Sequence, residues 1–544
     1  MKKVSSLFLA FCAVVGVMIF QQPASIVYAS DGTNSEQNIT SADSEYKEDA
    51  ASVIIFKDKY LESAIRKEIG KPEGDIFKSD VLSIKSLFLT AYEKSDLTPL
   101  SYLTNLTRLT FGNPARCNGK ISDITPLSSL TNLTELYLSD YQISDLTPLS
   151  KLTNLTKLDL GNNQISNLTP LSNLTNLTYL DLGCNQIDNL TPLYNLTNLT
   201  HLQLYNNPIN DLTPLGNLTN LTWLELTCQA SSLTPLGNLT NLTYLGLACQ
   251  ASNLTSLSKL TNLAELHLAG NQISNLSPLA NLANLTKLYL GCSQAIDLTP
   301  LGKLTNLTWL HLGGNQTRDL TPLNSLKNLT HLYIIGGHIS NLTPLSKLTN
   351  LTRLDMPGNQ VDNLAPLSNL TNLTWLDLSV NQIHDLRPLA NLSNLKVLNL
   401  SDNQISDLTP LSNLTNLTRL ELSFNQIHHL APLAKLPKLE YLDVFQNPLF
   451  NSYTPNAVRK SNLDFEVSGT HFEIWVVEAI PGDVNNDGKI SQLDSDYMKK
   501  YLLELITEFA YRDSADIDKS GSINSIDLAY LMNYLIGKGT IPPS

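Results

Sequence analysis

Two short stretches near the C-terminal end place oxygen-bearing side chains at a spacing that suits a hard divalent cation. In "GDVNNDGKISQLDSDYMKKYLL" (482–503), Asp483, Asn485, Asp487, Ser491 and Asp494 occupy loop positions 1, 3, 5, 9 and 12. Lys489 offers its carbonyl at position 7, and Gly488 allows the sharp turn before it. In "ADIDKSGSINSIDLAYLMNYLI" (515–536), Asp516, Asp518, Ser520, Asn524 and Asp527 repeat the pattern, with Ser522 at position 7 and Gly521 at the turn. Ligands that are all oxygen, wrapped at this interval, select Ca²⁺, so two calcium ions are expected. Each loop runs straight into an amphipathic helix that would carry its position-12 carboxylate.

A second set of residues could bind rather than react. Along the middle of the chain a Leu-x-Leu pattern recurs, and the positions flanking and between the leucines vary. They hold Trp223, His267, Tyr289, Trp309, His311, His331, Tyr333 and Trp375, including three of the four tryptophans. Inward leucines supply the core, so nothing in the core demands these rings; they are expected to project outward as a binding surface. The middle positions are acidic at both ends of the array and aromatic at the centre, over a band roughly 15 Å long at about 4.8 Å per strand. An aromatic centre with a charged rim is how protein interfaces are built. Aromatic rows also stack on sugar rings, which keeps a glycan ligand open, and parallel strands favour aromatic residues in any case. His311 and His331 have no third metal ligand fixed by sequence. Asp377 and Glu421 are two of many spaced carboxylates, with no acid and nucleophile singled out. With no Ser/His/Asp or Cys/His signature, the chain reads as a non-enzyme.

The elements that position these rings come from a repeat. From about residue 81 to 449 the prolines of "LTPL"-like turns recur every 22 residues, with two steps of 21, one of 27 and Ser256 filling one proline slot. Seventeen Leu-x-Leu strands run from Leu87/Leu89 to Leu442/Val444. In one unit, "LTKLDLGNNQISNLTPLSNLTN" (155–176), Leu155, Leu158 and Leu160 face inward with the period of a strand. Ile165, Leu168, Leu171 and Leu174 complete the apolar column, and Pro170 suits a tight helical turn. Asn163 is placed to bond the neighbouring coil and to build a ladder with Asn185 and Asn207. No unit buries its apolar edge alone, so stability must come from stacking. The many "NLT" triplets fall at fixed phases of the coil and read as structure, not as glycosylation sites.

Length, charge and cysteines bound the rest. The start, residues 1–29, has Lys2 and Lys3, an apolar Leu7–Phe20 stretch and a Val27-Tyr28-Ala29 cleavage pattern, so a secreted protein is expected with no other membrane span. The formal net charge is −13, or −15 without those two lysines, which argues against a nucleic-acid ligand. Five cysteines would remain (Cys117, Cys184, Cys228, Cys249 and Cys292). Few and odd in number, they read as buried free thiols, with Cys228 and Cys249 standing in for the ladder asparagine in the two shortened coils. The boundaries are 1–29 signal peptide, 30–53 flexible lead-in, 54–86 helical N-cap, 87–450 repeats, 451–480 C-cap or linker, and 481–544 the calcium module. In the N-cap, Phe56, Tyr60, Ala64 and Ile65 form an apolar helix face stopped at Gly70.

The repeat, with this cap, resembles the 22-residue internalin-like class of leucine-rich repeats. The paired loops resemble a dockerin, the module that plugs secreted proteins into cohesins of a scaffoldin in cellulosome-type, polysaccharide-degrading complexes. Together these resemblances imply an α/β solenoid: a right-handed leucine-rich-repeat horseshoe of about 17 coils with a helical N-cap, then a small all-α dockerin. The dockerin resemblance implies that Gln492, Leu493, Ser525 and Ile526 read the cohesin, with Lys499 and Lys500 as the basic pair of the recognition helix. Met532 and Asn533 replace that pair in the second copy, so its two faces are not equivalent. The expected function is a secreted, non-catalytic recognition protein whose concave repeat face binds a protein or glycan and whose dockerin tethers it through calcium. An adhesin or enzyme inhibitor is the alternative, and a polysaccharide-active enzyme the third.

Overall fold

A computed structural model describes residues 52–90, 96–112, 121–249, 252–271, 273–292, 297–314, 318–428 and 430–448, with strand pieces at 466–467 and 470–471. The expected signal peptide, nearly all of the lead-in, most of 451–480 and the whole calcium module lie outside the described residues. The chain forms two compact units, the first running to residue 251 with 269–271 added, the second comprising 252–268 and everything from 272.

The first unit opens with helix α1 (Lys59–Ile69). Asp58 caps it by accepting from the Tyr60 and Leu61 amides at 2.8 and 3.1 Å, and Gly70 ends it in the left-handed region at φ 66°. Leu61 and Ile65, four residues apart, form its buried stripe. The expected face is therefore rotated: Tyr60 is exposed and Phe56 precedes the helix. The capping aspartate sets where the first turn starts, and that phase points Leu61 inward in place of Tyr60.

Strands β1 (Ser86–Thr90), β2 (Arg108–Gly112), β3 (Glu135–Tyr137), β4 (Lys157–Asp159), β5 (Tyr179–Asp181), β6 (His201–Ile209), β7 (Trp223–Cys228) and β8 (Tyr244–Cys249) follow in chain order, each parallel to the next. Strand β9 (Glu265–Asn271) is divided, residues 265–268 falling in the second unit and 269–271 in the first. The second unit also holds β10 (Lys287–Cys292), β11 (Trp309–Gly313), β12 (His331–Ile335), β13 (Arg353–Asp355), β14 (Trp375–Asp377), β15 (Val397–Asn399), β16 (Arg419–Glu421) and β17 (Tyr441–Asp443). These are the seventeen strands read from the Leu-x-Leu pattern. From β1 to β8 and from β10 to β17 a leucine stands opposite a leucine at each step, as Leu288, Leu310 and Leu332 do. A two-residue antiparallel pair, β18 (Glu466–Val467) and β19 (Thr470–His471), lies beyond the repeats. Among the described residues no helix is long and apolar enough to cross a membrane.

The coil that returns each strand to the next passes through a 3-10 helical turn with proline at its first or second position, such as Thr169–Leu171. The turn forms equally at Thr255–Lys259, where Ser256 replaces proline. Ahead of most turns an Asp or Asn accepts the amide two residues on, as Asp145 does from Thr147 at 2.8 Å and Asn167 from Thr169 at 3.0 Å, while Ser232 takes that place before Thr234. Leu155, Leu158, Leu160, Ile165, Leu171 and Leu174 are fully buried, and Leu168 nearly so. Each contributes about 1.5–3 kcal/mol of apolar burial.

Three ladders tie coil to coil. Asn185 donates from Nδ2 to Leu160 O at 3.0 Å, Leu182 O at 3.1 Å and Gly183 O at 3.2 Å, while its Oδ1 accepts the Ile165 amide at 2.9 Å. Asn163 and Asn207 repeat this, so the expected ladder is present. The threonine and asparagine of the triplet at 154–156 form the other two: Asn154 Nδ2 donates to Thr131 O at 2.9 Å and Thr156 Oγ1 to Thr134 O at 3.0 Å.

The cysteines depart from the expectation of free thiols. Cys228 and Cys249 form a disulfide, with Cα atoms 4.6 Å apart. The thiols do occupy the ladder slot, but the one-residue shortening of both coils puts them in register on β7 and β8. In-register neighbours stand one strand spacing apart, which is within disulfide reach. Cys184 is free and half-buried.

A stacked aromatic face as the candidate ligand site

On a parallel, in-register sheet, residues at one phase of successive strands line up at a spacing near ring thickness plus clearance. In the first unit Tyr179, His201, Trp223 and Tyr244 occupy the first position of β5 to β8. Their ring centroids are 6.3, 6.4 and 4.5 Å apart in turn, the Trp223–Tyr244 planes only 6° from parallel.

The second unit carries the larger assembly. His267 stacks on Tyr289 at 3.9 Å, Trp309 on His331 at 4.4 Å, and Trp309 on Tyr333 at 5.1 Å. His311 lies between Tyr289 and Tyr333, at 6.1 and 5.7 Å. Its ring reaches over Gly313, where an added Cβ would come within 2.8 Å of the imidazole. Arg353 extends the stack, its guanidinium 5.2 Å from the Tyr333 ring and 4.0 Å from that of Trp375. Seven of the eight expected residues thus form one cluster, while Trp223 belongs to the first unit's row.

Their exposure differs from expectation. Trp223, Trp309 and Trp375 are half-buried and Tyr333 is buried, because neighbouring rings cover one another's faces. Burial also favours the neutral form of His311: its imidazole is pushed down to about 4, by burial first and His267 second. His331 is lowered by burial and by the Arg353 charge. Burial, then the Arg353 and Asp355 charges in opposition, takes the Tyr333 phenol up to about 12. Glu265 accepts from His267 at 2.7 Å and pairs with Lys287 at 3.0 Å. Among the described residues no group of three or more His, Cys, Asp or Glu could hold a metal ion.

The first unit's face has a different chemistry. Burial, followed by the nearby Asp159 charge, raises Asp181 to about 7, and burial raises Glu225 to about 6. Asp159 is raised too, burial outweighing the bond from the Gly161 amide, which acts to lower it. Glu135 is the contrast: burial opposes its charge, yet Lys157 at 3.1 Å and Arg108 at 3.3 Å hold it below the usual range.

Sequence reasoning noted the acidic ends of the middle row but missed the Tyr333–Arg353–Trp375 sandwich. Its signal was available, since Arg353 and Trp375 fall one period apart at the same phase. The calcium ligands and cohesin-reading residues all lie outside the described residues.

Comparison with known proteins agrees with both halves of the chain. A dockerin type I domain model matches residues 481–536. Two-copy leucine-rich-repeat models match 153–195, 261–303, 305–347 and 371–413, and a single-repeat model matches 413–428. Both families are non-catalytic, and dockerin type I domains bind calcium generally. No curated protein matches the chain. Among solved structures, the internalin InlF of Listeria monocytogenes is 31% identical, covering 72% of this chain and 96% of its own, with a TM-score of 0.44. A leucine-rich-repeat protein of Leptospira interrogans is 25% identical over 68% of this chain and 92% of its own, with a TM-score of 0.55. The functional domain of InlJ from Listeria monocytogenes, which includes a cysteine ladder, is 24% identical over 70% of this chain and 77% of its own, with a TM-score of 0.51. The chain belongs to the internalin-like leucine-rich-repeat proteins and carries a dockerin type I domain at its C-terminal end.

Proposed function

We propose that this is a secreted, non-catalytic recognition protein that holds a ligand on its repeat sheet and is tethered to a scaffoldin cohesin by its dockerin. The dockerin match at 481–536 carries the tether, since such a domain implies an extracellular, cellulosome-type context. The donor set supports two calcium ions: Asp483, Asn485, Asp487, Ser491 and Asp494, with the Lys489 carbonyl, in one loop, and Asp516, Asp518, Ser520, Asn524 and Asp527, with that of Ser522, in the other. All are hard oxygens at the calcium interval. Bound calcium would fix each loop against its helix and so present Gln492, Leu493, Lys499 and Lys500, and in the second copy Ser525 and Ile526, to the cohesin.

The ligand half rests on the aromatic cluster of the second unit. A protein ligand fits better than a glycan, because the ring faces a sugar would stack on are already covered by neighbouring rings. Pull-down with the full chain, comparing wild type with Trp309→Ala/His311→Ala, tests this half. A captured protein unaffected by the double substitution would remove the face from the proposal.

A further inference from the structure

Arg353 is prepared for a partner in a way the chain itself does not use. Its Nε donates to Asp355 Oδ2 at 2.6 Å, and its guanidinium is held between Trp375 and Tyr333. Among the described residues its two terminal nitrogens donate no hydrogen bond, though the side chain is 31% exposed. Arg66 and Arg387 use theirs internally: Arg66 donates from Nη1 to Lys71 O and from Nη2 to Glu62, and Arg387 from Nη2 to Asp385. Arg419 resembles Arg353 in donating from Nε to Glu421 at 2.6 Å, but a single ring, Tyr441, lies against it, where Arg353 has two. Asp355 is buried at 5% exposure, so it sets the orientation of the fork from beneath. In the same stack the Trp309 ring lies against Tyr333, and its Nε1–H is buried without an acceptor. The Trp375 N–H lies near enough to Asp355 to favour its charge, but out of hydrogen-bond geometry. The patch therefore has more donors than acceptors.

We propose that Arg353 is an anchor that receives the carboxylate of an Asp or Glu side chain on a polypeptide partner. This rests on the sheet face being the ligand site and names what the ligand must present there. A guanidinium presents a planar fork that pairs with both oxygens of a carboxylate, and one already fixed by stacking loses little freedom on binding. Asp355 neutralises the charge locally, so recognition comes from the unused N–H groups and their geometry more than from net attraction. An acidic sugar offers the same carboxylate, but it would need open ring faces for its own ring, and these are covered.

The test uses the full chain and an array of random dodecapeptides, with oligogalacturonate as the sugar arm, read by fluorescence anisotropy. Retained peptides should share an Asp or Glu whose change to Asn or Gln weakens binding at least tenfold. In Arg353→Gln protein the same peptide change should have less than a twofold effect, and Arg353→Lys should bind at least fivefold more weakly than wild type. Unchanged melting curves would show that both variants fold. An acid that matters equally in wild type and Arg353→Gln overturns the anchor, as does the failure of any peptide to bind. If that binding still falls in Trp309→Ala/His311→Ala, the face stands and only the anchor is lost. If it does not, both fall. Oligogalacturonate binding that depends on Arg353, without peptide binding, overturns the polypeptide source.

Discussion

Asn185 satisfies four backbone groups with one buried amide: three carbonyls and the Ile165 amide. Asn154, by contrast, makes one bond at the surface, where water can replace it. An unpaired buried group costs about 1–3 kcal/mol, and an exposed one close to nothing. Asn185→Ala should therefore destabilise the repeats by about 3 kcal/mol in urea titration, and Asn154→Ala by about 0.5 kcal/mol. Equal losses would mean that ladder burial is not what matters. Asp181 makes the opposite kind of contribution. Its folded pKa stands near 7 against an ordinary 3.8, because burial disfavours its charge. Between those values the folded chain binds more protons than the unfolded one, so stability falls as pH rises through that window. The repeat transition should melt higher at pH 5.5 than at pH 8, and Asp181→Asn should raise the pH 8 value and shrink the difference. The turn-capping Asp145 and Asp211 are shifted the other way by their threonine bonds, so their contribution is lost only in stronger acid.

At the scale of the element, each coil's leucines, its turn and its ladder asparagine could be read directly from sequence. Their roles depend only on position within the period, as Leu158, Pro170 and Asn163 show. The features that were not legible depend on the partner coil. Trp309 becomes half-buried because His331 stands opposite it on β12, and Cys228 finds Cys249 because two neighbouring coils are each one residue short. Single-coil reasoning sees exposed rings and isolated thiols; cross-strand register turns them into stacks and a disulfide. The disulfide closes a separation of 21 residues, in the very coils that lack the asparagine's bonds. On loop closure alone that is worth about 3 kcal/mol. Cys228→Ser/Cys249→Ser should lower repeat stability by about that amount in urea, and dithiothreitol should have no further effect on the variant. A non-reducing peptide map of the wild type should contain the linked Cys228 and Cys249 fragments.

Across the whole molecule, two different physical sources of stability sit on one chain. The repeats are held by columns of fully buried leucine and by coil-to-coil hydrogen bonds, with no metal-ligating group of three or more among the described residues. In the proposed calcium loops the clustered carboxylates would repel one another without a cation between them, so metal binding and folding would be one event there. Removing calcium should therefore act on one source alone. In calorimetry of the full chain, EDTA should abolish a dockerin transition and leave the repeat transition within about 2 °C, which for a repeat array of this length is a change of no more than about 1–2 kcal/mol. Asp483→Ala/Asp516→Ala should reproduce that result and abolish cohesin binding, while leaving intact any binding that depends on Trp309 and His311. Conversely, Trp309→Ala/His311→Ala should leave cohesin affinity unchanged. If EDTA lowers the repeat transition by more than a few degrees, the two sources are coupled, and the tether would regulate the recognition surface as well as hold it in place.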